Sequence, residues 1–188
     1  MASLMGRLRP LSRRDSKLYR TKHTMIEITV GDITKLKLDA IVNPANHSLL
    51  GGGGVDGAIH HAAGPELKAY NAKLGGCPTG EARISPGFKL PARWVIHTVG
   101  PVWQGGDKNE PGLLESCYRT SFTLALENDV RSIAFPGIST GVYRFPKDQA
   151  AAIAIAVLRD FNDRFERIVA CCFSEEDPRI YRERLEST

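Results

Sequence analysis

The sequence predicts an α/β fold with a largely parallel central sheet. Two patterns carry that expectation. Short runs of β-branched and apolar residues alternate with longer segments that place apolar residues at helical spacing. Three segments of unusual composition, Asp32-Ile33, Asn43 to Asp56 and Pro136 to Tyr143, each follow such a run. In parallel sheets ligands gather at the carboxyl ends of the strands, where these segments would lie.

Taken in order, residues 1–24 are rich in Arg and Ser and lack apolar periodicity. They read as a disordered extension or as sequence upstream of a true start at Met25, with a transit peptide as the alternative. From Met25 the pattern alternates, with Ile26, Ile28 and Val30 on one side and Glu27 and Thr29 on the other: a strand with one face more buried. Gly31 to Thr34 turns the chain, and Asp39 to Val42 forms a second strand. Val55 to Ala63 is expected to be helical, stopped by Gly64-Pro65, and Glu66 to Leu74 to be a second helix. Cys77 to Gly80 is a turn, Glu81 to Ser85 a strand, and Trp94 to Val99 an apolar central strand. Gln104 to Gly112 reads as a surface loop. Leu114, Cys117, Tyr118, Ser121, Leu124 and Ala125 mark Leu113 to Glu127 as a helix. Ser132 to Phe135 is a buried strand, Pro146 to Phe161 a helix with Pro in its first turn. Ile168 to Phe173 is the last strand and Pro178 to Leu185 a closing helix.

A chain of 188 residues is expected to make one domain over 25–188, after the extension at 1–24. No apolar run approaches the ~20 residues of a membrane span. Cys77, Cys117, Cys171 and Cys172 lack CxxC spacing, so reduced thiols in a cytoplasmic protein are expected. The histidines share no metal-like spacing with them, and neither a metal nor a cofactor is expected. The extension holds seven cations against Asp15 alone, so of the chain's net +4 it carries +6 and residues 25–188 carry −2. An acidic body is a poor match for a nucleic-acid backbone. A monomer is expected.

The chemistry concentrates between Asn43 and His60. Gly51, Gly52, Gly53 and Gly54 lie between an apolar strand and an amphipathic helix. Four glycines exceed what a turn needs and cost conformational entropy; close approach of backbone to a ligand explains them. A helix N-terminus there favours an anion. GxxxxGK[ST] and GxSxG are absent, so neither a triphosphate loop nor a nucleophile elbow is present. Asp56 lies in the first helical turn, where a carboxylate either offsets the dipole or accepts a proton and orients water. Asn43 and Asn46 are turn residues, or amides suited to sugar hydroxyls. His60, four residues after Asp56, shares its face; His60, His47 and His97 read as structural. Ser139, Thr140, Gly141 and Val142 offer further N–H groups, and Tyr143 is either a sugar platform or a boundary aromatic.

These segments together resemble the macrodomain family, in its MacroD-type branch of ADP-ribosyl hydrolases and O-acetyl-ADP-ribose deacetylases. The matching pieces are Gly31-Asp32-Ile33-Thr34, Ile41 to Asn46, Leu49 to His60, Ala62 to Pro65, Pro78 to Ala82, Ile96 to Pro101 and Phe135 to Tyr143. The resemblance runs from Met25 to the end. It departs at Pro44, His47 and His61, which concern the rim and the choice of protein substrate.

The resemblance implies a three-layer α/β/α fold, a mixed sheet of six strands and an ADP-ribose cleft at its crest. Asp32 would accept from the adenine amino group, with the Ile33 backbone adjacent. Gly51 to Val55 and Ser139 to Tyr143 would wrap the diphosphate and distal ribose. Asn46 would hold distal-ribose hydroxyls, Asn43 would support the pocket, and Asp56 would activate or orient water. The implied reaction is metal-independent hydrolysis of an ester at the distal ribose, in mono-ADP-ribosylated Asp or Glu side chains and in O-acetyl-ADP-ribose. The rivals are a reader module that binds ADP-ribose without cleaving it, and a domain that binds polyadenylate in the same cleft.

Overall fold

The computed structural model describes residues 26–187, so the expectations for the extension over 1–24 lie outside the described residues. Six strands form one sheet: β1 (Ile26–Val30), β2 (Ala40–Pro44), β3 (Ala82–Pro86), β4 (Trp94–Thr98), β5 (Ser132–Phe135) and β6 (Arg167–Cys172). The order is β1-β6-β5-β2-β4-β3. All neighbours pair in parallel except β3, which runs antiparallel to β4 at one edge. The helices are α1 (Gly54–Ala63), α2 (Pro65–Asn71), α3 (Glu110–Glu127), α4 (Lys147–Asp160) and α5 (Asp177–Glu186).

Alternation along the strands builds the layers. Ile41, Val95, Ala134 and Val169 turn to one face and pack with Ile59, Ala63 and Leu67 of α1 and α2. Ala40, Val42, Ile96, Ile133 and Ile168 turn to the other, against Leu114 and Phe122 of α3 and Ala154 and Leu158 of α4. The expected α/β/α sandwich and mixed six-stranded sheet are therefore present, with one apolar core on each face.

The sheet also opens where the chain reverses its direction of travel. From β2 the chain proceeds through β3 and β4 to one side; from β5 it proceeds through α4 to β6 on the other. β2 pairs with β4 over five residues but with β5 only at Ala40 and Ile41. Their carboxyl ends diverge, which leaves a crevice at the switch point, the usual place for a ligand in such a sheet.

Most element ends fall within two residues of expectation, and two differ by more. α3 begins at Glu110, not Leu113, because the buried Glu110 carboxylate accepts from the backbone N–H groups of Gln104, Gly106 and Lys108 and folds the preceding loop onto the helix end. The second helix ends at Asn71 and finishes as a 3-10 turn over Ala72–Leu74, since Gly75 takes a left-handed φ of 72°.

Candidate active site

Five parallel strands deliver their carboxyl ends to one edge of the sheet, and the loop after β2 is the most elaborate of them. Leu49, in the left-handed region at φ 62°, drops its side chain into a small core with Ala45, Cys77 and Val99. Asn71 donates to the Leu49 carbonyl at 3.0 Å from beneath. The loop is thus anchored on its underside while Gly52, Gly53 and Gly54 stay exposed above. Asn46 closes it: its amide donates to the Gly51 carbonyl at 3.0 Å, and its Oδ1 accepts from the backbone N–H and hydroxyl of Ser48.

Asp56 is buried in the first turn of α1. Its Oδ1 accepts from Asn43 Nδ2 at 2.7 Å, and His60 Nε2 stands 3.5 Å from the same oxygen, one helical turn on. Burial pushes the Asp56 carboxyl above the usual carboxylate range, against the Asn43 hydrogen bond and the charge of His60, which both pull it down. Burial likewise lowers the His60 imidazole. Gly52 lies against both partners: a Cβ there would stand 3.0 Å from Asp56 Oδ2 and 3.3 Å from Asn46 Nδ2. Asn43, Asn46, Gly51, Gly52 and Asp56 are therefore one cluster, as their sequence positions suggest.

The second wall leaves β5. Ser139 is buried at φ 63°, and Gly100, after β4, makes room for it, since a Cβ there would sit 2.1 Å from Ser139 Oγ. Phe145 N–H donates to the Ser139 carbonyl and Arg144 N–H to that of Gly141, while Trp103 N–H holds Tyr143 from the β4 side. Among the described residues, the backbone N–H groups of Gly52, Gly53, Thr140, Gly141 and Val142 donate to no backbone carbonyl. They are available to an anion in the crevice. Val142 is 90% exposed, which leaves its backbone N–H as the group it offers to the crevice. Tyr143 is half-buried at the rim.

Asp32 and Ile33 stand apart, at the exit of β1. Three strand spacings separate β1 from β2, about 14 Å at ~4.8 Å each. Asp32 Oδ1 caps the 3-10 turn Ile33–Lys35 by accepting from Thr34 N–H and Oγ1 at 2.9 and 2.6 Å. The Thr34 hydroxyl, against a small burial effect, holds its carboxyl below the usual range.

Two features escape a reading by motif. Phe173, at the exit of β6 beside Asp32, is 85% exposed, an aromatic face free to stack; in sequence it reads as the end of a strand. His97, which reads as structural in sequence, is wholly buried directly across from Asn43 in the β2–β4 register. Its Nδ1 lies 3.0 Å from Asn43 Nδ2 and its Nε2 2.9 Å from Ser85 Oγ. The signal for it is strand parity, which turns both residues toward α1.

Among the described residues, no group of three or more His, Cys, Asp or Glu side chains could hold a metal, and no helix is long and apolar enough to cross a membrane. An open depression of about 640 Å³ around Asp39, Phe88 and Arg93 lies at the opposite ends of the strands, away from Asp56.

The chain is similar in sequence and in fold to known proteins. The chain is 53% identical over 163 residues to the O-acetyl-ADP-ribose deacetylase of Salmonella newport, covering 83% of this chain and 91% of that protein. It is 53% identical over 160 residues to the ADP-ribose glycohydrolase MACROD2 of Xenopus laevis, covering 82% of this chain and 38% of that longer protein. The Oceanobacillus iheyensis macrodomain solved with ADP superposes with a TM-score of 0.85 at 46% identity, over 92% of this chain and 95% of that one. The model of the Macro domain matches residues 42–154, a span that starts inside β2 and takes in the glycine loop, Asp56 and the second wall. By fold and by sequence, the chain belongs to the Macro domain family.

Proposed function

We propose that this macrodomain binds ADP-ribose in the crevice and hydrolyses esters at its distal ribose, those of mono-ADP-ribosylated Asp and Glu side chains and of O-acetyl-ADP-ribose. The observation that carries the reading is Asp56: a buried carboxylate, held by Asn43, beside the amide of Asn46 and under the exposed glycine loop. A module that only reads the ligand has no use for a carboxylate beside an anion cradle.

The ligand would lie along the sheet edge. Asp32 accepts from the adenine amino group next to Ile33, and Phe173 offers a face for the base. The N–H groups of Gly51 to Val55 and of Ser139 to Tyr143 receive the diphosphate from two sides. Asn46 presents its amide to the distal ribose, and Asn43 holds Asp56 in place. A water beside Asp56 gives its proton to the carboxylate as its oxygen bonds to the ester carbonyl carbon. The ester C–O bond then breaks and the ribose oxygen leaves as a hydroxyl, taking a proton in turn. Burial raises Asp56 toward a more useful basicity, and an ester is activated enough for general-base help alone. The ADP-ribose-related names of the Salmonella and Xenopus relatives and the ADP-bound Oceanobacillus structure support the same reading.

The test is release of ADP-ribose from a glutamate-linked mono-ADP-ribosyl peptide, with ADP-ribose binding measured by calorimetry on the same preparation. Binding together with multiple turnovers is expected. Tight binding without release over hours would make the protein a reader. Asp32→Ala should weaken ADP-ribose binding; unchanged affinity would remove Asp32 from the site.

A further inference from the structure

We infer that His97 is a positioning residue for this site: it fixes which end of the Asn43 amide faces Asp56, and through it keeps Asp56 ionised. The inference rests on the hydrolytic reading above for its kinetic consequence, though not for its structural content.

The donor–acceptor chain has one consistent direction. Asn43 Nδ2 carries two hydrogens and has two acceptors, Asp56 Oδ1 at 2.7 Å and His97 Nδ1 at 3.0 Å. Asn43 Oδ1 is buried with no hydrogen-bond partner among the described residues. Nothing on the carbonyl side of the amide therefore selects its orientation; selection comes from what its nitrogen meets. His97 Nδ1 accepts only if the ring is neutral with its proton on Nε2. Complete burial keeps the ring neutral, with a pKa lowered to about 3. Ser85 places the proton: its hydroxyl donates to the Pro86 carbonyl at 3.2 Å, which leaves its oxygen to accept from His97 Nε2 at 2.9 Å. The carbonyl of an edge-strand proline thus sets the serine, the serine the tautomer, and the tautomer the amide.

Turning the amide over would aim Asn43 Oδ1 at Asp56 Oδ1, two acceptors in contact, and only a protonated Asp56 could relieve the conflict. A buried carboxyl already displaced upward protonates readily. The other titratable groups near Asp56 do not prevent this. His60 from α1 lies at 3.5 Å without a hydrogen bond for its Nε2, and burial together with Lys68 of α2 lowers its imidazole, against the pull of Asp56 itself.

The test uses two substitutions that separate the ring nitrogens. In His97→Asn the side-chain oxygen takes the place of Nδ1; in His97→Gln the polar end takes the place of Nε2 and no acceptor remains opposite Asn43. The Asp56 carboxyl is titrated by carbon-13 NMR in the full chain, and the His97 tautomer is read from its imidazole nitrogen-15 shifts. A neutral Nε2–H ring is expected at pH 7. Asp56 is expected to titrate about one pH unit higher in His97→Gln and near wild type in His97→Asn. Ser85→Ala, which removes the group that sets the tautomer, should shift Asp56 in the same direction by less. The acid limb of kcat for ester turnover should follow these shifts, with KM little changed. An Nδ1–H tautomer, an unshifted Asp56 in both His97→Gln and Ser85→Ala, or equal shifts in His97→Gln and His97→Asn would overturn the inference. Absence of ester turnover in wild type would sink the hydrolytic reading alone, because the carboxyl titration still decides the role of His97.

Discussion

Burial lifts the carboxyl of Asp56, and one amide hydrogen bond with a nearby imidazole holds it down. That balance depends on backbone that approaches side chains closely, so glycines around it are not equivalent. A Cβ on Gly57 would stand 2.6 Å from the Gly52 carbonyl oxygen, which is backbone and cannot swing aside. Gly57→Ala should push the loop off α1, lower ADP-ribose affinity and cost about 1–3 kcal/mol of stability in urea unfolding. Gly53, by contrast, has φ −98° and nothing within 4 Å of a Cβ. Gly53→Ala should leave the free protein's stability within about 0.5 kcal/mol of wild type, and any loss it shows should be confined to binding. Equal destabilisation by both variants would mean that the loop is not packed as described.

At the scale of elements, β4 carries a titration that the whole fold feels. His97 is neutral when folded, with a pKa of about 3 against 6.5 when unfolded. Between those values the unfolded chain binds the extra proton, so stability is full above pH 6.5 and falls as pH drops toward 3. From pH 7 to 5.5 this amounts to about 1 kcal/mol. Urea unfolding at the two pH values should show that loss in wild type and less of it in His97→Asn; identical losses would place His97 in a wetter site. The six strands were legible because their apolar runs are short and bounded by glycine, proline or polar turns. The Asp56–His60 contact was legible too, because a four-residue spacing within one helix is a local fact. The Asn43–His97 pair was not: 54 residues separate them, and only the pairing register brings them opposite one another. The start of α3 was misplaced for a similar reason. Glu110 reads as a surface charge until the loop wraps its backbone N–H groups around the carboxylate.

For the whole molecule, the decisive feature is the divergence of β2 and β5 at the point where the chain reverses across the sheet. No single motif announces that crevice, although each loop that lines it was visible by composition. Charge adds to its selectivity. Residues 25–188 carry a net −2, so in the proposed complex the crevice would hold its anion by directed N–H groups rather than by a basic field. Polyadenylate should therefore compete poorly with ADP-ribose at physiological salt, and ADP-ribose affinity should depend weakly on salt. A steep salt dependence with efficient displacement by polyadenylate would contradict that and favour a nucleic-acid ligand. In the proposed reaction the glycine loop binds while Asp56 acts, and Asp56→Asn separates the two. Measured on one glutamate-linked mono-ADP-ribosyl substrate, this variant should keep ADP-ribose affinity close to wild type while its turnover falls about 10²- to 10⁴-fold. Turnover at the wild-type rate with Asn at that position would contradict the assignment of Asp56 as the base.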